Sequence, residues 1–372
     1  MQLSVIILNY NVRYFLEQCV LSVQKALEGI DGEIIVIDNA SSDDSCEMMK
    51  AKFPYIKLIE NKDNLGFPKG NNIGVAQAKG EYICILNPDT VVAEDTFSKI
   101  LNTKNWTLNT GIIGCKLIDG AGNFLPESKR GVPTPWVAFT KIFGLYKISN
   151  YFGKYYAQHL SENESGKVDI LVGAFMMMKR ELYLEVGGFD ENCFMYSDDI
   201  DLSYLVLKTG KSNYYFHETS VIHYKGESTV RDGTYIKRFR EAMQFFYKKH
   251  FKKSWFFDVM MQVGSFVFSL LKKNQQKNEV RNIDEYVVFS KGNLELNLSK
   301  KATYLSDFNY FENQSHKNIE IIFDTTTFSF AEIITFMQLN KSKNLSFKNY
   351  ISSSNYLIGS NNSNDRGQII LL

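Results

Sequence analysis

The chain has 372 residues, 44% of them hydrophobic, which is long enough for one large domain and a smaller one. Lys and Arg number 42 against 41 Asp and Glu, a formal net charge of +1, which excludes a broadly basic nucleic-acid-binding surface. The five cysteines (Cys19, Cys46, Cys84, Cys115, Cys193) show no Cys-x-x-Cys or metal-ligand spacing and fall mostly among apolar residues, so they read as reduced core thiols of a cytosolic protein.

The N terminus begins directly on an apolar run, with no basic stretch and apolar segment before it, so no signal peptide is expected. That run, Leu3-Ser4-Val5-Ile6-Ile7-Leu8, reads as a strand and stops at Asn9-Tyr10-Asn11. A helical pattern follows, with Phe15, Leu16, Cys19, Val20, Val23 and Leu27 at spacings of three and four. A second strand, Glu33–Ile37, ends in Asp38-Asn39-Ala40-Ser41-Ser42-Asp43. A third, Ile56–Ile59, precedes Asn61 to Phe67, and Pro68-Lys69-Gly70-Asn71-Asn72 then opens a helix. The fourth, Tyr82-Ile83-Cys84-Ile85-Leu86, ends abruptly in Asn87-Pro88-Asp89-Thr90.

Strands alternating with helices predict right-handed crossovers and a parallel sheet. Ligands bind outside the carboxyl ends of such strands. Four successive strand ends here deliver Asn, Asp and Lys side chains to one edge. Asp89, placed after a proline that stops its strand, suits a hard cation and the phosphates it bridges. The alternative is that it caps a helix beginning near Ala93.

A fifth strand is expected at Ile112–Leu117, closing a first half over residues 1–117. Gly120 to Gly166 is loop-rich and aromatic, and a second half, 118–230, extends beyond it. It contains a strand near Ala174–Met178, a helix from Arg180, the segment Ser197-Asp198-Asp199-Ile200-Asp201 opening another helix, and a strand Thr219–Ile222 closed by His223. Residues 231–273 read as a basic and then apolar helical extension. Within it, Trp255–Leu271 is short for a membrane span and carries a polar stripe of Asp258, Gln262, Ser265 and Ser269. Lys248, Lys249, Lys252 and Lys253 precede it, and Lys272 and Lys273 follow. That pattern fits peripheral docking on an anionic cytoplasmic leaflet. Packing on the protein's own core, or on a second copy in a homodimer, remains open. Lys272–Asn278 has linker composition, and residues 279–372 read as a small α/β module. Its expected elements are strands Glu285–Phe289, Asn318–Asp324 and Asn355–Gly359 and a helix Phe330–Leu339.

The strings Ser4-Val5-Ile6-Ile7-Leu8-Asn9-Tyr10-Asn11, Val36-Ile37-Asp38-Asn39-Ala40-Ser41-Ser42-Asp43, Asn64-Leu65-Gly66-Phe67 with Gly70-Asn71-Asn72, and Leu86-Asn87-Pro88-Asp89-Thr90 resemble glycosyltransferase family 2, most closely its rhamnosyltransferase-type members. The resemblance continues through Asp169–Ala174, Val186–Glu191, Phe194–Leu202 and His223–Ser228, covering roughly the first two-thirds of the chain. It implies an α/β GT-A fold: a Rossmann-like, mostly parallel sheet with helices on both faces, residues 1–117 being the nucleotide-sugar-binding half and 118–230 the acceptor half. It also implies an inverting transferase that takes a sugar from dTDP-rhamnose or a UDP-sugar to a glycan or polyprenol-linked acceptor in bacterial cell-surface polysaccharide assembly. Such an enzyme would work in the cytoplasm or at the inner face of the plasma membrane.

On this resemblance, Asn9, Asn11, Asp38, Asn39, Lys69, Asn71 and Asn87 belong to the donor nucleotide, and Asp89 and His223 to a divalent cation, Mg²⁺ or Mn²⁺. The family's frequent Asp-x-Asp is Asn87-Pro88-Asp89 here, so only the last position is a carboxylate. Asp199 is assigned as the base for the acceptor hydroxyl, with Asp198 beside it as a second catalytic carboxylate or a helix cap. Relatives place an Arg near the position of Leu205. Its absence, with Asn87, motivates an alternative reading as a catalytically silent nucleotide-sugar-binding or scaffold protein. A dehydrogenase is disfavoured because the first strand–helix turn contains no glycine.

Overall fold

The computed structural model describes residues 1–142, 144–225, 233–251, 281–313, 316–362 and 367–372. Its first strands, β1 (Leu3–Asn9), β2 (Gly32–Asp38), β3 (Lys57–Glu60) and β4 (Tyr82–Leu86), are linked by α1 (Arg13–Ala26), α2 (Ser45–Lys52) and α3 (Gly66–Ala76). β1 pairs in parallel with β2 on one side and β4 on the other, and β3 pairs in parallel with β2. The apolar runs are continuous because both faces of this sheet are covered. Leu3, Val5 and Ile7 pack with Leu16, Cys19, Val20 and Val23 of α1, while Ile6 and Leu8 face Val75 of α3.

The sheet continues through β8 (Phe175–Lys179), β6 (Thr110–Ile118), β9 (Ser212–His223) and β5 (Thr90–Val91), with β7 (Gly166–Val168) also paired to β9. β8 runs antiparallel to β4 and β6, β9 parallel to β6, and β5 antiparallel to β9. The remaining helices of this unit are α4 (Thr96–Leu101), α5 (Pro135–Ile142), α6 (Arg180–Glu185), α7 (Asp198–Lys208) and α8 (Gly233–His250).

β9 starts at Ser212, well before the expected Thr219. Its pairing with β6 shifts register after Cys115, and that irregularity breaks the alternation a sequence reading relies on. The helix expected near Ala93 begins at Thr96, with Asp95 at its N-cap. Asp89 therefore caps no helix; it stands directly before β5. Asp198 is likewise no N-cap, because Ser197 occupies that position.

The second sheet contains β10 (Glu285–Phe289), β11 (Ala302–Leu305), β12 (Ile319–Asp324), β13 (Leu345–Ile351), β14 (Tyr356–Gly359) and β15 (Gln368–Leu371), with α9 (Phe330–Leu339) between β12 and β13. Its order is β11-β10-β12-β13-β14-β15, parallel as far as β13 and antiparallel beyond. One hydrophobic core joins it to the first unit: Val12, Phe15, Val91, Ile222 and Tyr224 pack with Phe323, Phe330, Phe347 and Tyr356. Glu94 caps α9 across the junction, accepting from the Phe330 and Ala331 N–H groups at 2.8 and 2.9 Å, a favourable place for a carboxylate. Glu17, fully buried, takes Lys52 at 2.8 Å, Arg13 at 3.2 Å and the Ser354 hydroxyl at 2.5 Å.

The apolar stretch Trp255–Leu271 and the Lys272–Asn278 linker lie outside the described residues. Among the described residues no helix is long and apolar enough to cross a membrane. The five cysteines are free, and all but Cys46 are buried.

Candidate active site

A cleft of about 650 Å³ opens at the carboxyl ends of β1 and β4. Tyr10, Asn39, Asn64 and Phe67 form one side, and Asn87, Pro88 and His223 form a corner. Gly173, Asp198 and Asp199 also line it, and Glu127, Arg130, Lys141, Tyr155 and Tyr156 make the opposite wall.

In the corner, the β5–β9 pairing sets Thr90 opposite His223 and so draws the preceding Asp89 to the same place. Nε2 of His223 lies 3.5 Å from Oδ1 of Asp89 and 3.4 Å from Nδ2 of Asn87. Both separations exceed the usual hydrogen-bond range, and they ask one nitrogen to donate to a carboxylate while facing an amide. Oδ1 of Asn87 and Nδ1 of His223 are buried with no hydrogen-bond partner among the described residues. Two neighbouring ligands of an octahedral cation at about 2.1 Å stand about 3 Å apart, so Asp89 and His223 fit such an ion with a small adjustment. Among the described residues no group of three His, Cys, Asp or Glu side chains could hold a metal, so other ligands would have to complete the shell.

The predicted donor residues divide in two. Asn39 and Asn87 line the cleft, whereas Asn9, Asp38 and Asn71 are buried beside it. Asp38 uses both oxygens internally, taking the Asn9 amide at 2.8 Å and the Ser41 N–H at 2.8 Å. Asn11 sits at φ 55°, a left-handed conformation Asn tolerates, and accepts from the Ser42 N–H at 2.7 Å. Asn39 donates to the Gly66 carbonyl at 3.1 Å and accepts from Asn61 at 2.9 Å. These residues lace the ends of β1, β2 and β3 into one rigid rim. Asn71 donates to the Phe67 carbonyl at 2.9 Å inside α3, and Lys69 is exposed and outside the cleft lining. Gly66 closes the rim: at φ +81°, a Cβ there would stand 2.8 Å from the Phe194 carbonyl oxygen.

The two carboxylates at the start of α7 differ sharply. Asp199 accepts from Arg130 at 2.5 Å, from the Gly173 N–H at 3.2 Å and from the Ile200 N–H at 2.8 Å. Arg130 also donates to the Leu171 carbonyl at 3.0 Å, which fixes the guanidinium. Burial works against the Arg130 charge, yet Asp199 outweighs it and holds the guanidinium protonated more firmly than usual. Asp198 is pushed up to about 7, first by burial and then by the charge of Asp199. Tyr196, just before, takes φ 78°, which is strained for a non-glycine residue. Asp201 faces away, paired with Lys249 at 2.8 Å and His250 at 2.5 Å of α8. It ties two helices together.

The opposite wall was not legible beforehand. Arg130 and Lys141 lie in the aromatic, loop-rich stretch and carry no spacing that marks them. Burial tends to raise the Tyr155 phenol, but Lys141 and Arg130 overcome it and leave the group below its ordinary value. Lys225, two residues past His223, pairs with Glu127, whose carboxyl ends below its usual range despite burial. Leu205, where relatives place an Arg, is not in the cleft lining, whereas the guanidinium groups of Arg130 and Arg238 are.

The family model of glycosyl transferase family 2 matches residues 4–187. The chain is 30% identical over 221 residues to the rhamnosyltransferase WbbL of Escherichia coli K12, covering 54% of this chain and 78% of that protein. It is 26% identical over 241 residues to the N-acetylglucosaminyl-diphospho-decaprenol L-rhamnosyltransferase of Mycobacterium tuberculosis, covering 62% of this chain and 78% of that one. A solved mannosyltransferase from Pyrobaculum calidifontis, in complex with GDP-Man and Mn²⁺, aligns over 72% of this chain and 69% of its own at 18% identity and a TM-score of 0.48. Strand-end motifs in family order, a shared cleft that receives them and relatives matched over most of their length converge: the chain belongs to glycosyltransferase family 2 and is a glycosyltransferase.

Proposed function

We propose that the chain is an inverting transferase, moving a sugar from dTDP-rhamnose or a UDP-sugar to a glycan or polyprenol-linked acceptor in cell-surface polysaccharide assembly at the cytoplasmic face of the membrane. The observation that carries this reading is the meeting, in one cleft, of Asn87 and His223, backed by the buried Asp89 3.5 Å from His223, with the Asp198–Asp199 carboxylates. The rhamnosyltransferases above, one of them named for a decaprenol-diphosphate acceptor, support the donor and acceptor classes.

Asp89 and His223 would hold a Mg²⁺ or Mn²⁺ ion, which supplies Lewis-acid stabilisation of the departing diphosphate. The rim laced by Asn9, Asp38 and Asn39 orients the nucleotide. Asp199 serves as base: Arg130 and the Gly173 N–H hold it in place and aimed, and it takes the proton of the acceptor hydroxyl as that oxygen attacks the anomeric carbon. Asp198, pushed up to about 7 first by burial and then by the Asp199 charge, gives up its proton in the neutral range and so sets the charge beside the base.

Incubation with a panel of nucleotide sugars, with and without Mg²⁺ or Mn²⁺, tests the reading through nucleoside diphosphate release and thermal stabilisation. A panel in which no member is turned over or raises the melting temperature would remove it. On the donor rim, Asp38→Ala is expected to weaken UDP or dTDP binding by on the order of 1.5–3 kcal/mol, because Asn9 and Ser41 lose a charged acceptor. Calorimetry on folded variant showing unchanged affinity for both nucleotides would exclude Asp38 from donor recognition.

A further inference from the structure

Residues 128–161 contain Lys129, Arg130, Lys141, Lys147 and Lys154 and not one Asp or Glu, in a chain whose formal net charge is only +1. The segment has two sides. Inward, Lys141, Tyr155 and Tyr156 line the cleft. Outward, Trp136, Ile148 and Tyr151 are 55%, 77% and 74% exposed, with Lys147 and Lys154 exposed among them. Trp136 and Tyr151 stand on a common base, with ring centroids 6.3 and 5.2 Å from that of Phe152. Ser149 accepts the Tyr151 N–H at 3.2 Å, which fixes the turn carrying Ile148.

Exposed aromatic and aliphatic side chains interleaved with unpaired-sign lysines match the chemistry of a lipid interface, where rings sit at headgroup depth and ammonium groups meet phosphate. A second copy of the chain is a poor occupant, because this face would meet its own positive charge. We propose that this aromatic–basic face docks on an anionic lipid bilayer and turns the Lys141–Tyr155 wall of the cleft toward the membrane. The contact is separate from the one expected for Trp255–Leu271. It rests on the lipid-linked acceptor reading for its purpose only, since docking needs no sugar.

The test uses the full chain and phosphatidylcholine vesicles with or without phosphatidylglycerol. The protein is expected to sediment with the anionic vesicles and to release as salt rises. Lys147→Glu with Lys154→Glu should lower the bound fraction about tenfold or more, and Trp136→Ser, Ile148→Ser and Tyr151→Ser together should do the same. Both sets lie outside the catalytic cleft lining and should leave nucleotide binding unchanged. Reversal of Lys252, Lys253, Lys272 and Lys273 is the comparison. If only that reversal abolishes sedimentation, the proposal is wrong. A fluorophore on Ile148→Cys, in a Cys46→Ser background where the other native thiols are buried, reads the face directly even if a multiple variant misfolds. Its emission should shift to the blue on anionic vesicles, and unchanged emission on sedimenting protein overturns the proposal. Docking that persists in a protein inactive on every nucleotide sugar would fault the transferase reading alone.

Discussion

Asp199→Asn is expected to lower sugar transfer by roughly 10²–10⁴-fold while donor binding stays near its original strength, because the amide keeps the shape and loses the basicity. Asp198→Asn should retain much of the transfer but change its pH dependence. In the unmodified protein, transfer should change as pH passes about 7, where Asp198 gives up its proton and places a second charge beside the base. The variant should show no such inflection. Stability supplies a second readout. Asp198 binds its proton near 7 when folded but near its ordinary 3.8 when unfolded, so between those values the folded state holds more protons and stability falls as pH rises. Asp198→Asn removes that penalty and should raise the melting temperature by roughly a few degrees at about pH 8 and hardly at all at about pH 4. Should Asp198→Asn abolish transfer while Asp199→Asn stays active, the two roles are exchanged. If neither change matters in folded protein, the base lies elsewhere.

Asp89→Ala is expected to abolish the tightening of nucleoside-diphosphate binding by Mg²⁺ or Mn²⁺ and to cost transfer on the order of 10²-fold or more, while the bare nucleoside binds almost as before. His223→Ala should show the same pattern more weakly, since an imidazole contributes no charge to the corner. Calorimetric titration of UDP with and without metal separates these terms. Protein stripped with EDTA that binds and turns over as well as the metal-loaded form would refute cation assistance at this corner.

The strand ends were legible because their chemistry is local. The apolar runs before Asn9, Asp38, Asn61 and Asn87 are short, buried on both faces and cut off by turn residues, so both the parallel sheet and its functional edge could be read directly. His223 could be placed because it closes a strand within a recognisable string. Arg130 and Lys141 could not. Their place in the cleft wall arises from the loop at Arg130 and the short helix α5 at Lys141 folding back over it, and no periodicity records that. β13 escaped for another reason: Lys348 interrupts its apolar pattern, yet the side chain is fully buried and 3.7 Å from Glu320. The donor side was legible only in part. Residue types suited to a nucleotide are present, but Asp38 gives both oxygens to Asn9 and Ser41, and the Asn71 amide bonds within its own helix; a sequence does not distinguish a group that touches a ligand from one that holds its neighbour.

The core that joins the second sheet to the first unit passes directly beneath the β5–β9 pair. Val91 and Ile222 belong to it, one residue beyond Thr90 and one before His223, and the Asn349 amide reaches the Tyr224 hydroxyl at 3.3 Å. The C-terminal sheet is therefore the foundation on which the Asp89–His223 corner stands. Heating should melt both units in a single calorimetric transition, with the van't Hoff and calorimetric enthalpies in agreement. A chain cut before β10 would lose activity by letting Asp89 and His223 drift apart, whatever else the C-terminal sheet does, so dissecting its role calls for point changes on its outer face and not for truncation.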